Sequence, residues 1–167
     1  MRKDYILIKA QSEAVGSGQS FLQSDYDFVH IPENVAAAKM AYQEAGITNP
    51  RQEIDIAEMH DCFSSTELIT YEDLEFSPRG KATEDVEAGS FTLEGALPVN
   101  TDGGLKCFGH PLSASGLRMA YEVYKQLQGK VDNPKRQVQN ARTGLIHNLG
   151  SNVGIHVGAV SIFGRPD

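Results

Sequence analysis

Apolar residues along this chain fall into short blocks separated by polar or glycine-rich stretches. Tyr5 to Ala10 alternates loosely and reads as a first strand, followed by a Gly/Ser-rich polar connection from Ser12 to Asp27. Pro32 fits the first turn of a helix that reaches Ala45, with Gly46 as its C-terminal stop. Val35, Ala38, Ala41, Tyr42 and Ala45 form its packing face, small enough to lie close against a sheet. Ile54 to Met59 reads as a buried strand whose edges at Asp55 and Glu58 are polar. Ser64-Ser65-Thr66-Glu67 fits a capping box opening a helix through Leu68, Ile69, Tyr71, Glu72 and Leu74.

Beyond that helix, Phe76 to Leu97 is a Gly- and Glu-rich excursion, read as a surface flap. Pro98-Val99-Asn100 then enters a Gly103-Gly104 turn. Leu117 to Leu127 forms the next helix and stops at Gly129, with Leu117, Ala120, Tyr121, Tyr124 and Leu127 as its packed side. Gln137 to His147 and His156 to Phe163 read as closing strands, joined by a polar segment from Asn148 to Gly154. The pattern predicts an α/β domain over residues 1–167, a mixed sheet of about five strands covered by about three main helices. No fixed-period repeat, low-complexity tract or hinge divides it.

Composition narrows the function classes. A chain of 167 residues with 40% apolar content and 16 glycines suits one ordered domain with many tight turns. The 22 acids against 15 bases give a net charge of −7, and no basic block stands out, so a nucleic-acid footprint is not expected. Cys62 and Cys107 are single and far apart, which points to reduced thiols in the cytoplasm rather than a disulfide framework. The start, Met1-Arg2-Lys3-Asp4-Tyr5, lacks the apolar stretch of a signal peptide, and no membrane span is expected.

The candidate chemistry lies where apolar segments end. In Cys107-Phe108-Gly109-His110-Pro111, glycine and proline fix the backbone around a histidine that periodicity does not bury. A neutral imidazole there can donate to a developing oxyanion or take a proton from a thiol; the alternative is a ring that buttresses the turn. His60-Asp61-Cys62-Phe63 follows the Ile54–Met59 strand and precedes a helix start, where amide donors favour a thiolate or an anion. Cys62 can serve there as an acid/base, or simply as a small apolar residue beneath Phe63. His147-Asn148-Leu149-Gly150 can contribute to an oxyanion hole or hold its own loop. His30 and His156 read as local hydrogen-bonding residues. A closed zinc site needs three or four ligands in short paired spacings, so no metal is expected. Gly103-Gly104 and Gly150 can aim amides at negative oxygens, but they match no nucleotide-binding fingerprint.

Taken in order, His60-Asp61-Cys62-Phe63, Asn100-Thr101-Asp102-Gly103-Gly104, Gly109-His110-Pro111 and His147-Asn148-Leu149-Gly150 resemble the C-terminal domain of the thiolase superfamily, in its sterol-carrier-protein and archaeal flavours. The resemblance runs from about Tyr5 to Phe163 and implies the fold and the chemistry together. It implies acyl transfer between coenzyme A thioesters, by Claisen condensation or by thiolysis of a 3-oxoacyl-CoA, in lipid metabolism. His110 then matches the histidine that activates a nucleophilic cysteine, His60 a position that orders water at an oxyanion hole, and Cys62 an acid/base on the substrate α-carbon. Gly150 matches a second oxyanion-hole glycine, and Asn148 stands where ordinary thiolases carry a late catalytic cysteine. Coenzyme A enters as substrate, with no cofactor bound permanently.

The resemblance covers only the second of a thiolase's two similar domains, so the nucleophile-bearing N-terminal domain is absent from this sequence. It implies a nucleophile-bearing domain or subunit as partner, an oligomer of the complete unit, and a small zinc-containing OB-fold protein as a further component. Two other readings remain open at this point. One is an aldolase component acting on a coenzyme A-linked side chain, and the other a non-catalytic structural subunit.

Overall fold

A computed structural model describes residues 4–19 and 27–166; the charged start at residues 1–3 and residues 20–26 of the polar connection lie outside the described residues. Four strands form one mixed sheet: β1 (Leu7–Val15), β2 (Ile56–Glu58), β3 (Thr143–Gly150) and β4 (Val157–Gly164), in the order β1-β4-β3-β2. β4 runs antiparallel to both β1 and β3, whereas β2 pairs parallel with β3. Among the described residues six α-helices accompany it: α1 (Pro32–Ala45), α2 (Pro50–Glu53), α3 (Ser64–Asp73), α4 (Ala82–Glu87), α5 (Gly104–Phe108) and α6 (Ser115–Gln128).

The sheet separates two cores, as alternation along β3 shows. Leu145 joins Ala37, Ala38, Ala41 and Tyr42 of α1 on one face, while the next residue, Ile146, joins Met119, Val123 and Leu127 of α6 on the other. α1 begins at Pro32 and ends at Gly46 in the left-handed conformation (φ 72°), as its punctuation predicts. α6 ends at Gly129 in the same way (φ 67°).

The expected fifth strand is absent among the described residues. The 98–100 segment makes only a single parallel bridge, Val99 to Ala57, because Pro98 has no N–H to extend the ladder and Asn100 turns away at φ 50°. β1 runs longer than expected, and the closing strands start later, at Thr143 and Val157. The flap reading of residues 76–97 is corrected: Phe76, Phe91 and Leu97 belong to the α1-side core, and Phe91 stacks on Tyr71 with centroids 3.8 Å apart. The many polar residues of this segment mask three large apolar side chains, Phe76, Phe91 and Leu97, that point inward. Together with Leu68, Tyr71 and Val86, Phe91 walls a cleft of about 400 Å³.

The packed side expected for α6 holds at Leu127 and Ala120 and is corrected elsewhere. Leu117 and Tyr121 are exposed, and Met119, Glu122, Val123, Gln126 and Leu127 are buried. Buried Glu122 and Gln126 disguised that stripe as solvent-facing. The carboxylate of Glu122 takes hydrogen bonds from Arg136 and Gln126, which satisfies it in the interior. The capping-box reading fails as well. Ser64 is already the first helical residue, Phe63 sits at the cap, and no side-chain cap bond forms.

Candidate active site

β2 and β3 run parallel with Glu58 opposite Ile146, so both strands deliver their C-terminal ends to one edge. Continuing that register brings Met59 and His60 alongside His147 and Asn148. Alternation then sorts their side chains: Glu58 reaches Arg118 of α6, whereas His147 reaches Asn34 of α1. Asn148 returns to the α6 side, where a Cβ on Gly116 would lie 3.3 Å from its amide nitrogen.

On that α6 side the two best sequence candidates meet. The His60 and His110 rings lie edge to face, centroids 4.8 Å apart and planes at 77°. His60 is buried, and burial pushes its imidazole down to about 4, with His110 adding to the shift and Asp61 opposing it. The ring is therefore neutral at physiological pH.

His110 is exposed, on the turn between α5 and α6. Its Nδ1 lies 2.8 Å from the hydroxyl of Ser115, a buried residue that sequence reasoning did not single out, although it stands in the same Pro111–Gly116 stretch. Ser115 also lies 3.3 Å from the Pro111 carbonyl; when its single hydroxyl proton is donated there, Ser115 accepts from His110 Nδ1–H. That tautomer puts the lone pair of His110 on Nε2, free to act as a base.

Cys62 follows at the start of α3, exposed, with its thiol 3.7 Å from the Thr66 hydroxyl. Cys107 is likewise free and exposed. Between His60 and Cys62, Asp61 turns inward. Its carboxylate accepts from the Leu105 amide at 2.8 Å, so the donors at the Gly103-Gly104 turn hold the protein's own carboxylate. Asn100 locks the same region, its Oδ1 accepting from the Met59 amide at 2.7 Å.

Gly104 permits this close approach. It sits at φ 62°, and a Cβ there would lie 2.4 Å from Asp61 Oδ2. Gly104→Ala is therefore expected to cost about 2–4 kcal/mol of stability, from left-handed backbone strain plus the displaced carboxylate. Denaturant unfolding measures it, and an unchanged midpoint would mean that Asp61 is not seated on α5.

The remaining candidates separate. Gly150 ends β3, exposed and with open space where a side chain would be. His147 does not line the site face. It is fully buried, bonded through Nε2 to Asn34 Oδ1 at 2.9 Å, and burial pushes it down to about 3 with His60 adding. Asn34 in turn donates to Asp73 at 3.3 Å, and Asp73 also pairs with His30 at 3.3 Å. His156 lies buried with its Nδ1 3.9 Å from Glu33. Among the described residues no three His, Cys, Asp or Glu side chains converge as a metal site would require, and no helix is long and apolar enough to cross a membrane.

Comparison with known proteins identifies the family of this fold. A family model described as "Thiolase C-terminal domain-like" matches residues 14–165. An acetyl-CoA acetyltransferase from Methanothermobacter thermautotrophicus is 40% identical over 160 residues, covering 96% of this chain and 40% of the relative. Human sterol carrier protein 2 is 44% identical over 114 residues, 68% of this chain and 20% of that protein. A chain of the solved Ltp2-ChsH2(DUF35) aldolase superposes with a TM-score of 0.78 at 25% identity, covering 98% of this chain and 40% of its own length. The present chain thus spans well under half the length of each of these relatives.

Proposed function

This chain belongs to the thiolase C-terminal domain family, and from that premise we propose that it supplies the second-domain half of a thiolase-like acyltransferase. The reaction is Claisen condensation of acyl-CoA thioesters or the reverse, thiolysis of a 3-oxoacyl-CoA. The observation that carries the reading is the His60–His110 contact, a buried neutral ring against an exposed one whose Nε2 is left as a base.

A nucleophile-bearing domain or subunit supplies the acyl-cysteine. It forms when His110 Nε2 takes the proton of the free cysteine thiol and the thiolate attacks the first acyl-CoA, whose coenzyme A leaves as a thiol carrying that proton, while His60 supports the hydrogen bonding of the thioester oxygen. Cys62 removes the α-carbon proton of the second thioester; the resulting carbanion attacks the acyl carbon, and the partner's cysteine leaves as thiolate. Asn148 and Gly150, at the end of β3, shape the hole for the second oxygen. Coenzyme A thioesters are the substrates, with no resident cofactor. The working assembly is an oligomer of the two-part unit in the cytoplasm, with a zinc-containing OB-fold protein as a third component.

The structural likeness to an aldolase chain favours one second reading, in which the same site cleaves a carbon–carbon bond beside a coenzyme A thioester without any acyl-cysteine. Reconstitution with the nucleophile-bearing half, followed by product analysis, separates the two. Thiolysis consumes free coenzyme A and yields two thioesters, whereas retro-aldol cleavage consumes none. Turnover confined to non-thioester compounds would overturn both.

A further inference from the structure

Directly beneath the two histidines lies a second pair drawn from the same two elements. Glu58 precedes His60 by two residues, so both side chains leave β2 toward α6. Arg118 follows Ser115 by three residues, one turn along the same side of α6. Ser115 holds His110, and Arg118 holds Glu58, its Nη1 donating to Oε2 at 3.2 Å.

The same nitrogen donates to Asp102, in the turn between Asn100 and Gly104. The Phe108 ring, two residues before His110, sits with its centroid 5.3 Å from the guanidinium carbon. A single guanidinium on the helix that opens with the His110 partner thus touches the strand leading to His60, the turn that seats Asp61, and the segment leading into His110.

This cluster is deeply placed. The Glu58 side chain is 0% exposed, that of Asp102 5% and that of Arg118 16%. Buried charge of this kind is a weak source of stability compared with apolar packing. What it fixes well is distance and direction, because one nitrogen, Nη1, must stay within hydrogen-bond reach of both carboxylates while the planar guanidinium lies against the Phe108 ring.

We propose that Arg118 is a positioning residue of the active site: through Glu58, Asp102 and Phe108 it sets the spacing of β2 against α6 that holds His60 and His110 edge to face. The catalytic consequence rests on the proposed function; the geometry does not, and it can be read without turnover.

The experiment uses this 167-residue chain with its histidines labelled by nitrogen-15, and follows the His60–His110 cross-relaxation and the protonation of His60. The groups that act on His60 electrostatically, His110, Asp61 and His147, are unchanged in every variant. In the native chain His60 stays neutral down to about pH 4. In Arg118→Met the cross-peak weakens, and water reaching the loosened ring raises its proton affinity about tenfold or more. Arg118→Lys, which keeps a cation for the two carboxylates but loses the planar group against Phe108, falls between.

The double variant Glu58→Gln/Arg118→Met leaves only the Asp102 carboxylate without its arginine, and that group still accepts from the Gly104 amide at 2.9 Å; the variant should shift in the same direction, so it carries the test if the single methionine variant does not fold. General destabilisation moves neither signal, since both are read from the folded species. An unaltered cross-peak and an unaltered His60 titration in folded Arg118→Met or in the double variant would overturn the assignment. A failure of reconstituted turnover would leave it untouched.

Discussion

Alanine at Cys62 or at His110 is expected to reduce kcat of the reconstituted enzyme by about 100- to 10,000-fold, the range set by losing a positioned acid/base. Both side chains sit where they can be removed without opening a core. Cys62 is exposed and touches only the Thr66 hydroxyl among its described hydrogen-bond partners, and His110 is exposed on a turn that Gly109 and Pro111 shape independently of its ring. The melting temperature of each variant should therefore stay close to that of the parent while turnover collapses. The two losses should also differ in kind. His110→Ala prevents the acyl-enzyme from forming, whereas Cys62→Ala allows it to form and then stall before carbon–carbon bond making, which quenched-flow mass analysis of the partner's cysteine can distinguish. Cys107→Ala, equally exposed but assigned no chemistry, serves as control. A correctly assembled complex that turns over normally with both Cys62→Ala and His110→Ala would remove the proposed mechanism.

That pairing was legible because its signals are local. A histidine between Gly109 and Pro111 cannot be explained by a packing stripe, and the strand-to-helix turn at His60–Cys62 follows from the apolar run before it. α1 was legible for the same reason, its proline and glycine marking both ends. The misreadings all involve groups satisfied at long range. Glu122 and Gln126 look like solvent-facing residues until Arg136 and the backbone near it close over them. Phe76 and Phe91 look like flap residues until Tyr71 and the α1-side core receive them. The role of His147 was hidden because its partner, Asn34, is 113 residues away, on the opposite side of the sheet from the candidate site. The resemblance supplied the topology that no local pattern contains, and the sheet has four strands among the described residues where about five were expected.

His147→Gln is expected to flatten the acid side of the stability profile relative to the parent chain. His147 is fully buried and held neutral, down to about 3 from an ordinary 6.5, chiefly by burial. A histidine that is neutral in the fold takes up its proton only on unfolding, so the unfolded chain binds more protons below pH 6.5. The stability that depends on neutral His147 is therefore complete above pH 6.5 and is lost progressively as the pH falls toward 3. Asp73 and Glu58 carry the opposite sign, because burial raises both and the fold releases their protons at a higher pH than the unfolded chain does. The parent profile alone mixes these contributions; the difference between parent and variant isolates one proton. Glutamine can still donate to Asn34 Oδ1 but cannot be protonated. Whatever the variant costs at pH 7, the parent's advantage should shrink by about 1.4 kcal/mol per pH unit between pH 6.5 and 4, about 3 kcal/mol in all. Urea unfolding at half-unit intervals of pH and constant ionic strength measures it. The window ends at pH 4, above the value of about 3 at which the folded His147 ring itself takes up a proton. Parallel profiles for parent and variant would show that His147 is already charged in the fold, and with it that the Nε2 bond to Asn34 does not come from a neutral ring.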